Sequence, residues 1–130
     1  MRSFDHEKLD VYQAGIQFVG VANDVVERLP KGRAYLADQI QRAAVSIPLN
    51  VAEGAGEFSR KDKARFYRIA LRSATDSAAL LDVCRRLKLA DQPATSAGRD
   101  LLLRIVSMLT RMARGLGGWS GTGTGTGTDE

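Results

Sequence analysis

Residues 39–72 read QIQRAAVSIPLNVAEGAGEFSRKDKARFYRIALR. Ile40, Ala43, Ile47 and Val51 keep helical spacing, and Gly54 and Gly56 then break it in a form that tolerates positive φ. Pro48 lacks a backbone donor and crowds the carbonyl four residues back, so a kink over residues 44–47 is expected. Past the glycines, Ser59 followed by Asp62 has the form of an N-cap with an acidic first turn. A dense run of basic residues opens the helix that Ser59 starts. Two helices and the break between them are fixed by this one stretch.

The flanking chain extends the same pattern. The helix before the break spans about residues 33–52, with Leu36 also inward, and the turn Leu29-Pro30-Lys31-Gly32 precedes it. A first helix over about 8–28 carries two apolar stripes side by side: Leu9, Tyr12, Ile16, Val19, Val26, and Val11, Gly15, Phe18, Ala22, Val25. A helix apolar on two sides is buried on two sides. A small monomer struggles to do that, so Val11, Phe18, Ala22 and Val25 are candidates for an oligomer interface.

After the break, Phe66, Ala70, Ser73, Ser77, Leu80, Cys84 and Leu87 repeat at steps of three and four. The small residues in the middle of that seam allow a neighbouring helix to approach closely. This third helix ends near Lys88, and Ala90-Asp91-Gln92-Pro93 makes the next connection. A fourth helix begins at Thr95 or Ser96, either of which can cap it, and runs to about residue 116. Leu102, Ile105, Leu109 and Met112 form its stripe, widened by Leu101 and Met108. Residues 117–130 are dominated by a Gly-Thr repeat with too little apolar surface to order itself. Trp119 in that tail either packs back on the body or stays exposed. The expected fold is all-α: an antiparallel up-down-up-down four-helix bundle over 1–116 with a flexible tail.

A chain of 130 residues, 44% hydrophobic, supports one domain with a core that needs no disulfide or structural metal. Cys84 is the only cysteine, which fits a reduced, cytoplasmic setting. The start MRSFDHEKLD has no apolar h-region, so no signal peptide is expected. No uncharged apolar run approaches the roughly 18–20 residues of a membrane span. The net charge of +4 tilts the partners towards polyanions without deciding for them.

Catalytic chemistry finds no support. His6 is the sole histidine, so no pair of Glu-x-x-His motifs exists to hold a di-metal centre. Cys84 falls on the apolar seam, the place of a small buried hydrophobe. The GAG of residues 54–56 has neither a preceding strand nor a Walker lysine. No catalytic residue, metal or cofactor is expected.

Two polar groups stand out. Lys61, Arg65, Arg68, Arg72 and Arg86 fall in a narrow sector of the third helix at 100° per residue, opposite its apolar seam. Arg60 and Lys63 extend the positive region around the helix start. Like charges at i, i+4 repel by a few tenths of a kcal/mol per pair, and a phosphate backbone would relieve that repulsion. The same stripe also reads as a solvated face, partly neutralised by Asp76 or by acids of another subunit, or as a protein contact. Arg42, Asn50 and Glu53 lie at the polar edge of the second helix. They either line a groove on an assembly or serve the fold, Arg42 pairing with Glu53 or a neighbour's Asp62 and Asn50 satisfying backbone freed by Pro48.

FDHEKLDVYQ near the start and LADQIQRAAVSIPLNVAEGAGEFSRKDKARFYRIALRSATD in the middle resemble the four-helix-bundle proteins related to the 23S rRNA intervening-sequence-encoded proteins. The accessory variability determinant of diversity-generating retroelements belongs to the same group. The likeness covers about residues 4–116. Its specific part is residues 39–42 with Ser46-Ile47 and Asn50-Val51-Ala52-Glu53-Gly54. The resemblance implies an up-down bundle that assembles as a homopentamer with a basic surface. Its retroelement relatives bind nucleic acid and a reverse transcriptase, so RNA, DNA and a protein partner are all expected candidates. The oligomer implied by the resemblance agrees with the double stripe of the first helix.

Overall fold

The computed structural model describes residues 2–117. A 3-10 turn, Asp5–Lys8, leads into α1 (Asp10–Glu27), followed by α2 (Ala34–Gly56), α3 (Arg60–Arg86) and α4 (Gln92–Gly115). α3 and α4 start where a side chain caps the first turn, whereas the starts of α1 and α2 carry no such cap. The described residues contain no strand. The Gly-Thr tail and Trp119 lie outside them.

Ser59 caps α3 as expected, its Oγ accepting the Asp62 N–H at 3.0 Å. The start of α4 differs. Asp91 is the cap, its Oδ1 accepting the Ala94 N–H at 2.9 Å. Pro93 sits in the first turn, where a missing N–H is no loss. Thr95 is instead buried inside the helix, its hydroxyl donating to the Asp91 and Gln92 carbonyls at 3.1 Å each. α3 closes in a Schellman motif: the Leu89 N–H reaches the Cys84 carbonyl at 2.8 Å and the Lys88 N–H reaches that of Arg85 at 3.1 Å. This puts Lys88 at φ 60°, a region costing an L side chain about 1–2 kcal/mol. Lys88→Gly is therefore expected to raise stability by about 0.5–1 kcal/mol, because glycine's larger unfolded-state entropy offsets part of the relief. A urea melt showing a loss would contradict this account of the cap.

α2 runs unbroken through Pro48 and Gly54 and stops at Gly56, and neither glycine has positive φ. The helix thus ends at the second glycine, without the left-handed turn that the sequence suggested. Gly54 is required for space: a Cβ there would fall 2.5 Å from Tyr67 Cε1 and 3.2 Å from the Lys63 carbonyl.

The helices form a square. α1 packs on α2 and α4, α3 packs on the same two, and the backbones of the diagonal pairs stay further apart. End contacts set the directions. The end of α2 meets the start of α3 at Gly54 and Tyr67, and Asp82 near the end of α3 pairs with Arg99 near the start of α4. Arg28, just past α1, pairs with the α4 cap Asp91 at 3.7 Å. The order is up-down-up-down, with the core enclosed between all four helices.

The core corrects the reading of α1. Val11, Phe18, Ala22 and Val25 are at most 2% exposed, enclosed by the chain's own helices, and so are not an oligomer surface. Register decides this: Gly15 lies against Ile47 and Pro48, so the stripe containing it turns inward. The other stripe is half-buried, and its Ile16 is 45% exposed. On α3, Tyr67 and Leu81 take the inner positions expected of Phe66 and Leu80, and Leu87 is exposed. Cys84 is fully buried, and burial pushes its thiol pKa up, which suits a core residue. Among the described residues no buried side-chain polar atom lacks a hydrogen bond.

Candidate nucleic-acid interface

The first two turns of α3 carry Arg60, Lys61, Lys63 and Arg65 against a single acid, Asp62. A helix start carries partial positive charge, so this crowding is unfavourable for an isolated helix. The bundle resolves half of it. Lys63 Nζ donates to the carbonyls of Gly54 and Ala55 at 2.8 and 3.1 Å, at the negative end of α2. Arg60 donates to the Leu116 and Gly115 carbonyls at 3.2 and 3.0 Å, at the end of α4. These two cations act as C-caps for the neighbouring helices. They drop out of the candidate ligand face.

The rest behave differently. Arg65 makes a loose ion pair with Asp62 at 3.8 Å, and its guanidinium lies 4.4 Å from the centre of the Phe66 ring. Lys61, Arg68, Arg72 and Arg86 have no ion pair or hydrogen bond to any described residue. Asp76 stands four residues from Arg72 but does not pair with it; it borders a shallow groove between α2 and α3. With Tyr67, Ala70, Ala74 and Leu81 buried on one side, Lys61, Arg65, Arg68 and Arg72 project from the opposite side of α3. Arg86 shares their sector but lies about 21 Å further along, in the last turn, where a cation suits the helix dipole. Four side chains make the continuous face, and Arg86 is a separate outlier.

Arg42, Asn50 and Glu53 do not form one cluster. Arg42 pairs with Asp38 on its own helix at 2.9 Å, not with Glu53 of the same chain. It borders the α2–α3 groove with Ser46 and Ser73, whereas Glu53 is exposed about three turns away. Asn50 Nδ2 donates to the Ser46 carbonyl at 2.9 Å and to Ser46 Oγ at 3.0 Å. The carbonyl freed by Pro48 belongs to Ala44, so Asn50 does not repair it as expected. It joins a polar link instead, since Ser46 Oγ lies 2.7 Å from Ser73 Oγ and ties α2 to α3.

A charge division between the two halves of the chain escaped the reading by motif. Residues 59–117 hold thirteen Lys and Arg against five Asp and Glu, whereas residues 1–58 hold six against eight. The α3–α4 half is the cationic one. Summing charge by segment would have found it.

A family model described as 23S rRNA-intervening sequence protein matches residues 7–111. A solved structure from Bacteroides thetaiotaomicron VPI-5482, described as a protein of unknown function from the S23 ribosomal protein family, superposes with a TM-score of 0.74. It is 20% identical, and the match covers 80% of this chain and 98% of that one. That likeness concerns the fold. No curated protein matches the sequence.

Proposed function

Because the chain belongs to the 23S rRNA-intervening sequence protein family, we propose that it is a non-enzymatic, oligomeric helical-bundle protein that binds nucleic acid along its backbone. The supporting observation is the outer face of α3, where Lys61, Arg68 and Arg72 have no partner among the described residues and Arg65 has only a loose one. Phosphate contacts of this kind give affinity without sequence preference. The family's description makes RNA the first polymer to test. A homopentamer is the assembly its resemblance implies. One apolar surface available for it is the outer side of α1 and α2, which carries a cleft lined by Val19 and Val45 and the exposed Ile16 and Leu49.

The test is RNA and DNA binding across a salt series, with the mass of the particle measured alongside. Tight binding that weakens steeply with salt is expected. The triple charge reversal Arg65→Glu, Arg68→Glu, Arg72→Glu is expected to lower affinity by tenfold or more. It should also make the salt slope shallower by about 2–3, since each phosphate that a cation neutralises contributes about 0.7–0.9 to it. Unchanged RNA binding by that variant, with the assembly intact, would sink the proposal. The same apolar cleft favours a second reading, a protein-interaction adaptor. An assembly that ignores nucleic acid even at low salt would move the assignment there.

A further inference from the structure

Phe58 is 102% exposed, as open as the residue is in an extended peptide. It immediately precedes the Ser59 cap, where an apolar side chain ordinarily folds over the fourth residue of the helix. That fourth residue is Lys63, whose side chain turns away to the end of α2. The ring is thus left without the partner its position usually supplies. Three residues of chain, at most about 11 Å, separate it from Lys61. One turn further on, the Arg65 guanidinium is backed by the Phe66 ring, while the side chain remains 53% exposed. An open aromatic ring and a ring-backed guanidinium therefore stand on either side, along the chain, of Lys61, a cation with no partner among the described residues.

We propose that Phe58 is a base-stacking residue, with Arg65 as a second stacking plane, and that the nucleic acid taken by this face is single-stranded. The inference rests on the backbone-binding reading above and deepens it. Phosphates answer the cations, but they give no use to an exposed ring. A nucleobase does, because every base has a flat apolar face that stacks on aromatic rings and on guanidinium planes. In a duplex those faces are covered by neighbouring bases. Only an unstacked strand offers phosphates and open base faces together, and the junction before α3 holds matching groups for both.

The test uses the full chain and three probes at one low salt concentration: a strand of about 20 nucleotides, long enough for one site, an abasic strand of equal length, and a duplex of equal length. The wild-type protein is expected to bind the base-bearing strand more tightly than the abasic one. Phe58→Ala should weaken the base-bearing strand by about five- to tenfold and leave abasic and duplex binding unchanged. Phe58→Trp should keep or tighten it. Because the ring is fully exposed, both variants should melt like the wild type, which separates a binding effect from misfolding. If Phe58→Ala binds the strand as well as wild type while the triple charge reversal still loses it, stacking is wrong and backbone binding stands. If the wild type binds none of the probes, both readings fall.

Discussion

Phe18→Ala is expected to cost about 3–5 kcal/mol of folding stability, measured by urea or thermal unfolding. The ring is completely buried and reaches across to α4, where a Cβ on Gly98 would come 3.5 Å from its Cε1 and 2.9 Å from Leu81 Cδ1. Removing it leaves a cavity among α1, α3 and α4 that backbones already held this close cannot collapse to fill. The loss should be the same at every protein concentration, because the residue sits inside one chain and not between chains. A variant with an unchanged melt but a smaller particle mass would return Phe18 to a subunit boundary and overturn this packing.

Gly54→Ala and Gly20→Ala make the same chemical change in two helices and should have opposite signs. Alanine is better than glycine in a helix interior by about 1 kcal/mol. At Gly20 on α1 the new methyl meets nothing within 4 Å, so a gain of about 0.5–1 kcal/mol is expected. At Gly54 it would lie 2.5 and 2.8 Å from Tyr67 Cε1 and Cδ1. Tyr67 is 4% exposed, so its ring cannot step aside without opening the core. Forced overpacking of that kind costs about 1–3 kcal/mol or more, and the net result at Gly54 should be a loss of about 2 kcal/mol. Equal melting shifts for the two variants would mean that α2 and α3 approach each other less closely than this.

These substitutions also mark where the sequence could be read and where it could not. The four helices were legible because apolar spacing and breakers agree along the chain, and the Ser59 cap was legible from its neighbour Asp62. The inner face of α3 was read correctly at Ala70, Ser73, Ser77 and Cys84 and missed by one residue at Phe66 and Leu80. Phe66 stands beside Tyr67 and Leu80 beside Leu81, so apolarity alone cannot say which of each pair points in. Gly54 looked like a helix end because its true constraint, the ring of Tyr67, is thirteen residues away in sequence. The basic face was half legible. Arg60 and Lys63 are the same residue types as Arg65 and Lys61, and only the packing brings the ends of α4 and α2 within their reach. Phe58 carried no signal in its spacing, since exposure of a loop residue is a property of the folded chain.

The anchoring of Arg60 and Lys63 also has a consequence for recognition. Helix starts ordinarily fray, and a ligand that binds a frayed turn must pay to order it. Here the opening turn of α3 is clamped to the ends of two neighbouring helices before any partner arrives. Lys61 and Arg65 therefore project from a fixed frame, and the ordering cost left on binding falls mainly on their own side chains. For the nucleic acid proposed above, that favours quick capture and release of a flexible strand over slow, induced closure around it.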